Sequence, residues 1–153
     1  MTTPTRMPRF NHVAMSVPAD LLGEEGRRDI VRFYDEVFGW KELPTETVDR
    51  KKLVLSAYTY EQFVFLIADD PPMVAPRLDH FGMSVETEQE LDDMLAQAKA
   101  FHAHDDRVDI VDKELTDHGM LAITSFYVRY LLPMMVEVQW WDFKDKQTAE
   151  RTE

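Results

Sequence analysis

The sequence predicts an α+β fold in which two βαβββ units pack into one domain. Residues 10–17 (FNHVAMSV) recur 68 residues later as residues 78–85 (LDHFGMSV), with histidine third and Met-Ser-Val last in both copies. A helix-like segment and then strand-like segments follow each copy. One unit cannot bury both its helix and a face of its sheet, so we expect the two units to pack together around a curved mixed sheet.

The first unit is predicted over residues 8–70. Its first strand is residues 10–17, and apolar residues at helical spacing begin after Asp29. These residues are Ile30, Phe33, Tyr34, Val37 and Phe38. Gly39 follows at the position of a left-handed helix cap. The remaining strand candidates are residues 41–48, 52–59 and 62–68, and a proline-rich link closes the unit.

The second unit is predicted over residues 77–143 and repeats this order. After the strand at residues 78–85, Thr87 and Glu90 have the spacing of a capping box. The apolar face of the helix that follows consists of Leu91, Met94, Leu95, Ala98 and Phe101. Strands are predicted at residues 108–115, 122–131 and 134–141, and residues 144–153 form a polar tail.

Composition excludes several classes of partner. The 153 residues include 29 acidic and 17 basic side chains, a net charge of −12, which argues against nucleic acid or an anionic membrane surface as partner. No apolar run is long enough to cross a bilayer, and the first nine residues lack the apolar core of a signal peptide, so we expect a cytoplasmic protein. Because there is no cysteine, any metal must be held by His, Asp, Glu or Tyr.

The repeated histidines are candidate metal ligands. Alternate residues of a strand share one face, so His12 and His80 each look onto small side chains. These neighbours are Ala14 and Ser16 in the first copy, and Gly82 and Ser84 in the second. Space therefore remains beside each histidine for a metal and a small-molecule substrate, although either histidine could instead be a satisfied core residue.

Glu137 is the candidate third ligand. It lies within the apolar run MMVEVQWW of residues 134–141, where a carboxylate is costly unless it is paired or bound to metal. Two histidines and one carboxylate with open positions suit Fe(II), and also Mn(II) or other divalent ions. The alternatives are that Glu137 faces solvent or pairs with an arginine.

These features resemble the vicinal oxygen chelate superfamily, which includes glyoxalase I, fosfomycin- and bleomycin-resistance proteins and extradiol dioxygenases. The resemblance covers about residues 8–143, and FY followed by VFGW at residues 33–40 is similar to the family's helix-ending signature. It implies a curved sheet that surrounds a metal held by His12, His80 and Glu137. It also implies a homodimer, and leaves open whether units pair within one chain or between two.

The second half further resembles type I extradiol dioxygenases. His118, Tyr127 and Glu137 have separations similar to those of that signature, which implies catalytic roles for His118 and Tyr127 and favours Fe(II) over Mn(II) or Zn(II). We also expect Arg129 and Phe65 to bind substrate. The acid/base histidine of those enzymes has no counterpart near Gln62 or Phe63, and Leu115 replaces the signature's glycine.

The predicted function is a metal-dependent, dioxygenase-like enzyme acting on a catechol-like diol. The alternatives are a glyoxalase- or epimerase-type lyase or isomerase, and a non-catalytic binding protein of the bleomycin-resistance kind. Residues 63–67 contain no carboxylate to match the fourth ligand of glyoxalase I, and no clear Lys and Arg cluster suits a phosphonate.

Overall fold

The computed structural model describes residues 6–144 and contains two βαβββ units, as predicted. The first unit consists of β1 (His12–Val17), a short 3-10 helix (Ala19–Leu22), α1 (Glu24–Phe38), β2 (Lys41–Glu42), β3 (Lys52–Ser56) and β4 (Phe63–Ala68). The second consists of β5 (His80–Val85), α2 (Glu88–His102), β6 (Val108–Asp117), β7 (Leu121–Tyr130) and β8 (Met135–Phe143). The predicted tail lies outside the described residues, except for Lys144.

Local signals place the helix ends. Gly39 adopts φ 71°, and its N–H bonds back to the carbonyls of Tyr34 and Asp35, which confirms the left-handed cap. Thr87 and Glu90 form the predicted capping box, because each side chain accepts a hydrogen bond from the other's backbone N–H.

The predicted second strand was too long. β2 ends at Glu42, since the Leu43 carbonyl accepts the N–H groups of Glu46 and Thr47 and so turns the chain at Pro44. An alternating pattern in the sequence does not reveal such a turn.

Each unit forms its own four-stranded sheet with the same topology. The strand orders are β1-β4-β3-β2 and β5-β8-β7-β6, and the first strand pairs parallel to the last in both units. The other neighbouring strands are antiparallel. Among the described residues no strand of one sheet pairs with a strand of the other, so β1 and β5 are edge strands and the chain by itself forms no continuous eight-stranded sheet.

The two units join through their helices. α1 packs against α2, and one hydrophobic core includes residues of both units. Phe33 of α1 meets Phe101 of α2 with ring centroids 5.0 Å apart, and Tyr130 of β7 with ring centroids 4.7 Å apart. The Tyr34 hydroxyl donates to the Tyr130 carbonyl at 3.1 Å. One face of each sheet is therefore buried against helices, and the opposite face is open.

An ionic cluster also spans this junction. The Arg107 guanidinium donates to Asp29 of α1 at 3.0 Å and to Asp105 at 2.6 Å, and the Tyr130 hydroxyl donates to Asp105 at 2.6 Å. These bonds, Arg107's first, hold the pKa of Asp105 well below its usual range.

Within residues 6–144, neither helix combines the length and the apolar character that a membrane span requires.

Candidate metal centre

The open face of the second sheet brings His80, Glu137 and Tyr127 together. Glu137 of β8 pairs with Gly82 of β5 on one side and with Tyr127 of β7 on the other. These three residues therefore lie in one row on the same face of the sheet. His80 Nε2 lies 3.2 Å from Glu137 Oε2, and the His80 and Tyr127 rings meet edge to face at 5.0 Å. Glu137 is 7% exposed, so the expected burial of this carboxylate is confirmed.

The hydrogen bond at the far side of the His80 ring fixes its orientation. His80 Nδ1 lies 2.8 Å from the Leu78 carbonyl oxygen, which can only accept, so Nδ1 carries a proton. In the neutral ring Nε2 then presents a lone pair, and this lone pair faces the Glu137 carboxylate. Two acceptors at 3.2 Å repel one another unless a proton or a cation lies between them.

The spacing of these two atoms fits a shared metal ion. Two cis ligands about 2.1 Å from one metal lie about 3 Å apart, which is close to the separation of His80 Nε2 and Glu137 Oε2. The Nδ1 bond to Leu78 is also the type of outer hydrogen bond that orients metal-binding histidines. His80 and Glu137 therefore fit a divalent metal in both atom type and spacing.

Gly82 leaves space beside this pair. It is the small residue between His80 and Ser84 on the same strand face, directly opposite Glu137. A Cβ atom built at Gly82 would meet nothing within 4 Å, so no packing within the described chain requires glycine there. The missing side chain leaves room for a bound group next to Glu137.

Tyr127 is a neutral hydrogen-bond donor at this site. Burial raises the pKa of the Tyr127 phenol, and the neighbouring Glu137 carboxylate raises it further. The phenol therefore keeps its proton across the physiological pH range and can donate to an oxygen that gains negative charge.

His12 lies on the open face of the first sheet. Its Nδ1 is 2.5 Å from Asn11 Oδ1, and its ring stacks on Phe63 with centroids 4.7 Å apart. Because the Asn11 amide oxygen can only accept, Nδ1 of His12 carries the proton and Nε2 has the lone pair. The two repeated histidines therefore have the same tautomer. His12 lines a cavity of about 440 Å³ that Gly82 also borders.

The predicted three-ligand site does not form within one chain. Within residues 6–144 no group of three or more His, Asp and Glu side chains could hold a metal, so His12 does not join His80 and Glu137. β1 and β5 are edges of separate sheets that border one cavity without pairing, so His12 and His80 lie in different sheets. Sequence periodicity showed which face each histidine occupies but not how the two faces meet.

His118 also lies away from the pair. It occupies the β6–β7 turn, where its N–H donates to the Leu121 carbonyl at 2.8 Å. Tyr127 is six residues further along β7, which is about 20 Å of extended strand. The expectation that His118 lies beside Tyr127 is therefore not met within one chain, because the antiparallel ladder runs on to the pair Asp117 and Ala122.

The two predicted substrate-binding residues lie on different sheets. Phe65 is half-buried on the open face of the first sheet, opposite Ala14. Arg129 is half-buried near the end of β7, where Nη2 lies 3.3 Å from Asp109 Oδ2. Arg77, which sequence reasoning did not single out, holds the same carboxylate. The one feature of the sequence that could have indicated Arg77 is its position three residues before His80.

Comparison with solved structures supports the fold. Lactoylglutathione lyase from Agrobacterium tumefaciens is 17% identical, with 91% of this chain and 96% of that chain covered at a TM-score of 0.60. The fosfomycin resistance protein FosX from Mesorhizobium loti is 13% identical, with 97% and 100% covered at 0.58. A glyoxalase/bleomycin resistance protein/dioxygenase family enzyme from Burkholderia phytofirmans is 12% identical, with 85% and 96% covered at 0.61.

This chain has the glyoxalase fold. The predicted resemblance to the vicinal oxygen chelate superfamily is thereby confirmed at the level of fold. No family model and no curated protein matches the sequence. At these identities the likeness does not extend to a substrate or a reaction.

Proposed function

We propose that this protein is a metal-dependent enzyme that binds a small substrate through two adjacent oxygen atoms. His80 and Glu137 of one copy and His12 of a second copy would hold the metal. The observation that carries the proposal is the approach of His80 Nε2 to Glu137 Oε2 at 3.2 Å, with Nδ1 tied to a carbonyl oxygen. Two lone-pair donors at this separation can occupy two adjacent positions around a divalent metal.

A two-fold dimer would supply the missing histidine. β1 and β5 are both edge strands, and each carries its histidine on an open face. Placing β1 of one copy beside β5 of another would pair both edges and bring His12 towards His80. A closed two-fold repeats this contact, so each dimer would contain two equivalent sites.

The metal would act as a Lewis acid that lowers the pKa of substrate hydroxyls and aligns the oxygens. Glu137 and His80 would hold and orient it from one sheet. Tyr127 would donate its phenolic proton in a hydrogen bond to the oxygen on which negative charge develops. Phe65, on the same sheet face as His12, would contact the apolar part of the substrate.

Ring cleavage of a catechol-like diol by O₂, which supplies both oxygen atoms added to the product, is the reaction class that the ligand set favours. Two histidines and one carboxylate suit Fe(II), and no carboxylate within Phe63–Ala68 could provide a fourth ligand. His118 has no role in this proposal, because its position in the β6–β7 turn separates it from Tyr127.

Lyase or isomerase chemistry is the second candidate. It is favoured by the likeness to lactoylglutathione lyase, which covers 91% of this chain. Such a reaction requires a metal and a proton donor near the bound oxygens, and Tyr127 is the neutral donor available beside Glu137.

The test is metal analysis of protein purified without chelators, followed by anaerobic reconstitution with Fe(II), Mn(II) or Zn(II). Oxygen uptake with a panel of catechols tests ring cleavage. Formation of S-lactoylglutathione from the adduct of glutathione and methylglyoxal tests the lyase alternative. Protein that binds none of the three metals would contradict the proposal and favour a binding role.

A further inference from the structure

Two arginines and one aspartate form a cationic cluster at the end of the open face that carries His80. Arg77 donates to both oxygens of Asp109, with Nε at 2.9 Å and Nη2 at 2.6 Å. Arg129 approaches the same carboxylate from β7, with Nη2 at 3.3 Å. Two guanidinium groups against one carboxylate leave this cluster with a net charge of +1, in a chain whose net charge is −12.

Asp109 is committed to Arg77 rather than to Arg129. The guanidinium of Arg77 makes two short hydrogen bonds to the two oxygens of Asp109. This bidentate geometry is the strongest that a guanidinium and a carboxylate form. The Arg77 bond is also the main reason why the pKa of Asp109 lies below its ordinary value. Within residues 6–144, the hydrogen bonds of Arg129 are long, to Asp109 at 3.3 Å and to the Pro133 carbonyl at 3.4 Å.

Arg129 therefore retains hydrogen-bonding capacity. A guanidinium has five N–H donors, and these two long contacts use only two of them. The side chain is 27% exposed, so it is partly desolvated yet accessible from the open face. A second oxyanion could bind there with shorter bonds than Asp109 provides.

The cluster lies within reach of the candidate metal pair. Extending the β7–β8 register by one residue places Arg129 opposite Met135, which pairs with His80 on its other side. His80 and Arg129 are thus two strands apart, about 10 Å between backbones, and both side chains project from the same face. This span matches a small aromatic or aliphatic molecule with one polar group at each end.

We infer that the substrate carries an oxyanionic group which Arg129 binds while the adjacent oxygens bind at His80 and Glu137. Arg77 acts as a positioning residue, because it neutralises Asp109 and so keeps Arg129 available. This inference rests on the proposed function and adds a substrate class to it, namely a carboxylate or a phosphonate.

The experiment measures the affinity of three 4-substituted catechols for the Mn(II)-loaded protein by calorimetry under nitrogen. The probes are 4-methylcatechol, which is neutral, 3,4-dihydroxyphenylacetate, and (3,4-dihydroxybenzyl)phosphonate. We expect the parent to bind at least one anionic probe about 10-fold or more tightly than 4-methylcatechol, because a hydrogen bond from a partly desolvated guanidinium to an anion is charge-assisted. The preferred anionic probe identifies the oxyanion.

Arg129→Met should remove that preference by lowering the affinity for the anionic probe to that for 4-methylcatechol. Arg129→Lys, which keeps the charge but loses the fork, should retain part of it. Arg28→Met, which removes an exposed arginine from α1, is the matched control and should behave as the parent does. Thermal unfolding of each variant checks that the fold is intact.

Equal affinity of the parent for neutral and anionic probes would overturn the inference but leave the proposed function standing. A preference that survives in Arg129→Met would do the same. If no probe binds, the inference and the proposed function both fail.

Discussion

The open face of the second sheet carries a buried carboxylate and a phenol, whereas the open face of the first sheet carries neither. The first face presents His12, Ala14, Ser16, Lys41, Lys52, Val54, Ser56, Phe63, Phe65 and Ile67. On the second face, the polar residues His80, Ser84, Ser125, Tyr127, Arg129, Glu137 and Gln139 lie among the apolar residues Leu121, Ile123, Met135, Trp141 and Phe143. The buried faces of the two sheets contribute to one core, and their topologies are identical.

The difference between the sheets indicates a division of roles. The repeat preserves a scaffold and one histidine per unit, while the carboxylate and the neutral phenol belong to the second unit alone. Neither unit contains a complete ligand set, so the proposed function depends on joining a first unit to a second unit. Changes confined to one open face test this division.

The largest expected effect comes from removing the carboxylate of the second face. Glu137→Ala should weaken metal binding by at least about 100-fold, because even outer-shell changes at metal sites cost 10- to 100-fold. Metal content after reconstitution and dialysis measures this. Glu114→Ala is the control and should retain metal, because Glu114 of β6 is on the same face but pairs with Ser125 rather than with Tyr127. Full metal retention in Glu137→Ala would remove Glu137 from the site.

Removing the phenol of the second face should affect turnover but not metal binding. Tyr127→Phe should lower turnover by about 100-fold, since one donor to a developing oxyanion contributes that much. Metal content should equal that of the parent. If turnover is unchanged, Tyr127 does not stabilise charge in the reaction, and its shifted pKa is only a consequence of its burial beside Glu137.

Filling the space beside Glu137 should separate the site from the scaffold. Gly82→Val adds a side chain whose Cβ would meet no atom within 4 Å, so the midpoint of thermal unfolding should change little. Metal or substrate affinity should fall by about 10-fold, equivalent to about 1.4 kcal/mol of steric cost. Ser84→Val, two residues along the same face, is the control. Unchanged affinity in Gly82→Val would mean that nothing binds next to Glu137.

The smallest expected effect is on stability, and it comes from the ionic cluster where the two units join. The pKa of Asp105 is lowered by Arg107 and Tyr130, so its contribution to stability is present above about pH 4, the unfolded value, and is lost as pH falls below it. Asp105→Asn should therefore be less stable than the parent at pH 7 and lose less stability between pH 5 and pH 3. Asp20→Asn, at an exposed ion pair with Arg50, is the control. Parallel loss in parent and Asp105→Asn would contradict this assignment.

Much of the fold could be predicted from the sequence because its signals are local. The cap at Gly39 and the capping box at Thr87 each depend on neighbouring residues, and the repeat is visible as two similar strings of eight residues. All three are confirmed. The burial of Glu137 was also predictable, because apolar residues flank it in the strand. What could not be predicted depends on the relation between units and on turns.

The site shows this limit most clearly. A shared position in a repeat places His12 and His80 on equivalent faces, but the contact between faces depends on which strand edges meet. Arg77 escaped notice because its partner Asp109 is 32 residues away in sequence. The separation of His118 and Tyr127 matched a signature, yet the extended β6–β7 ladder puts His118 in the turn.

Complementation between two damaged chains tests the central claim most directly. His12→Ala and Glu137→Ala should each bind little metal alone. If His12 acts across a dimer, a mixed dimer has one intact site, so an equimolar mixture after subunit exchange should bind about one quarter of the parent's metal. A mixture that binds no more metal than either variant alone would contradict the account.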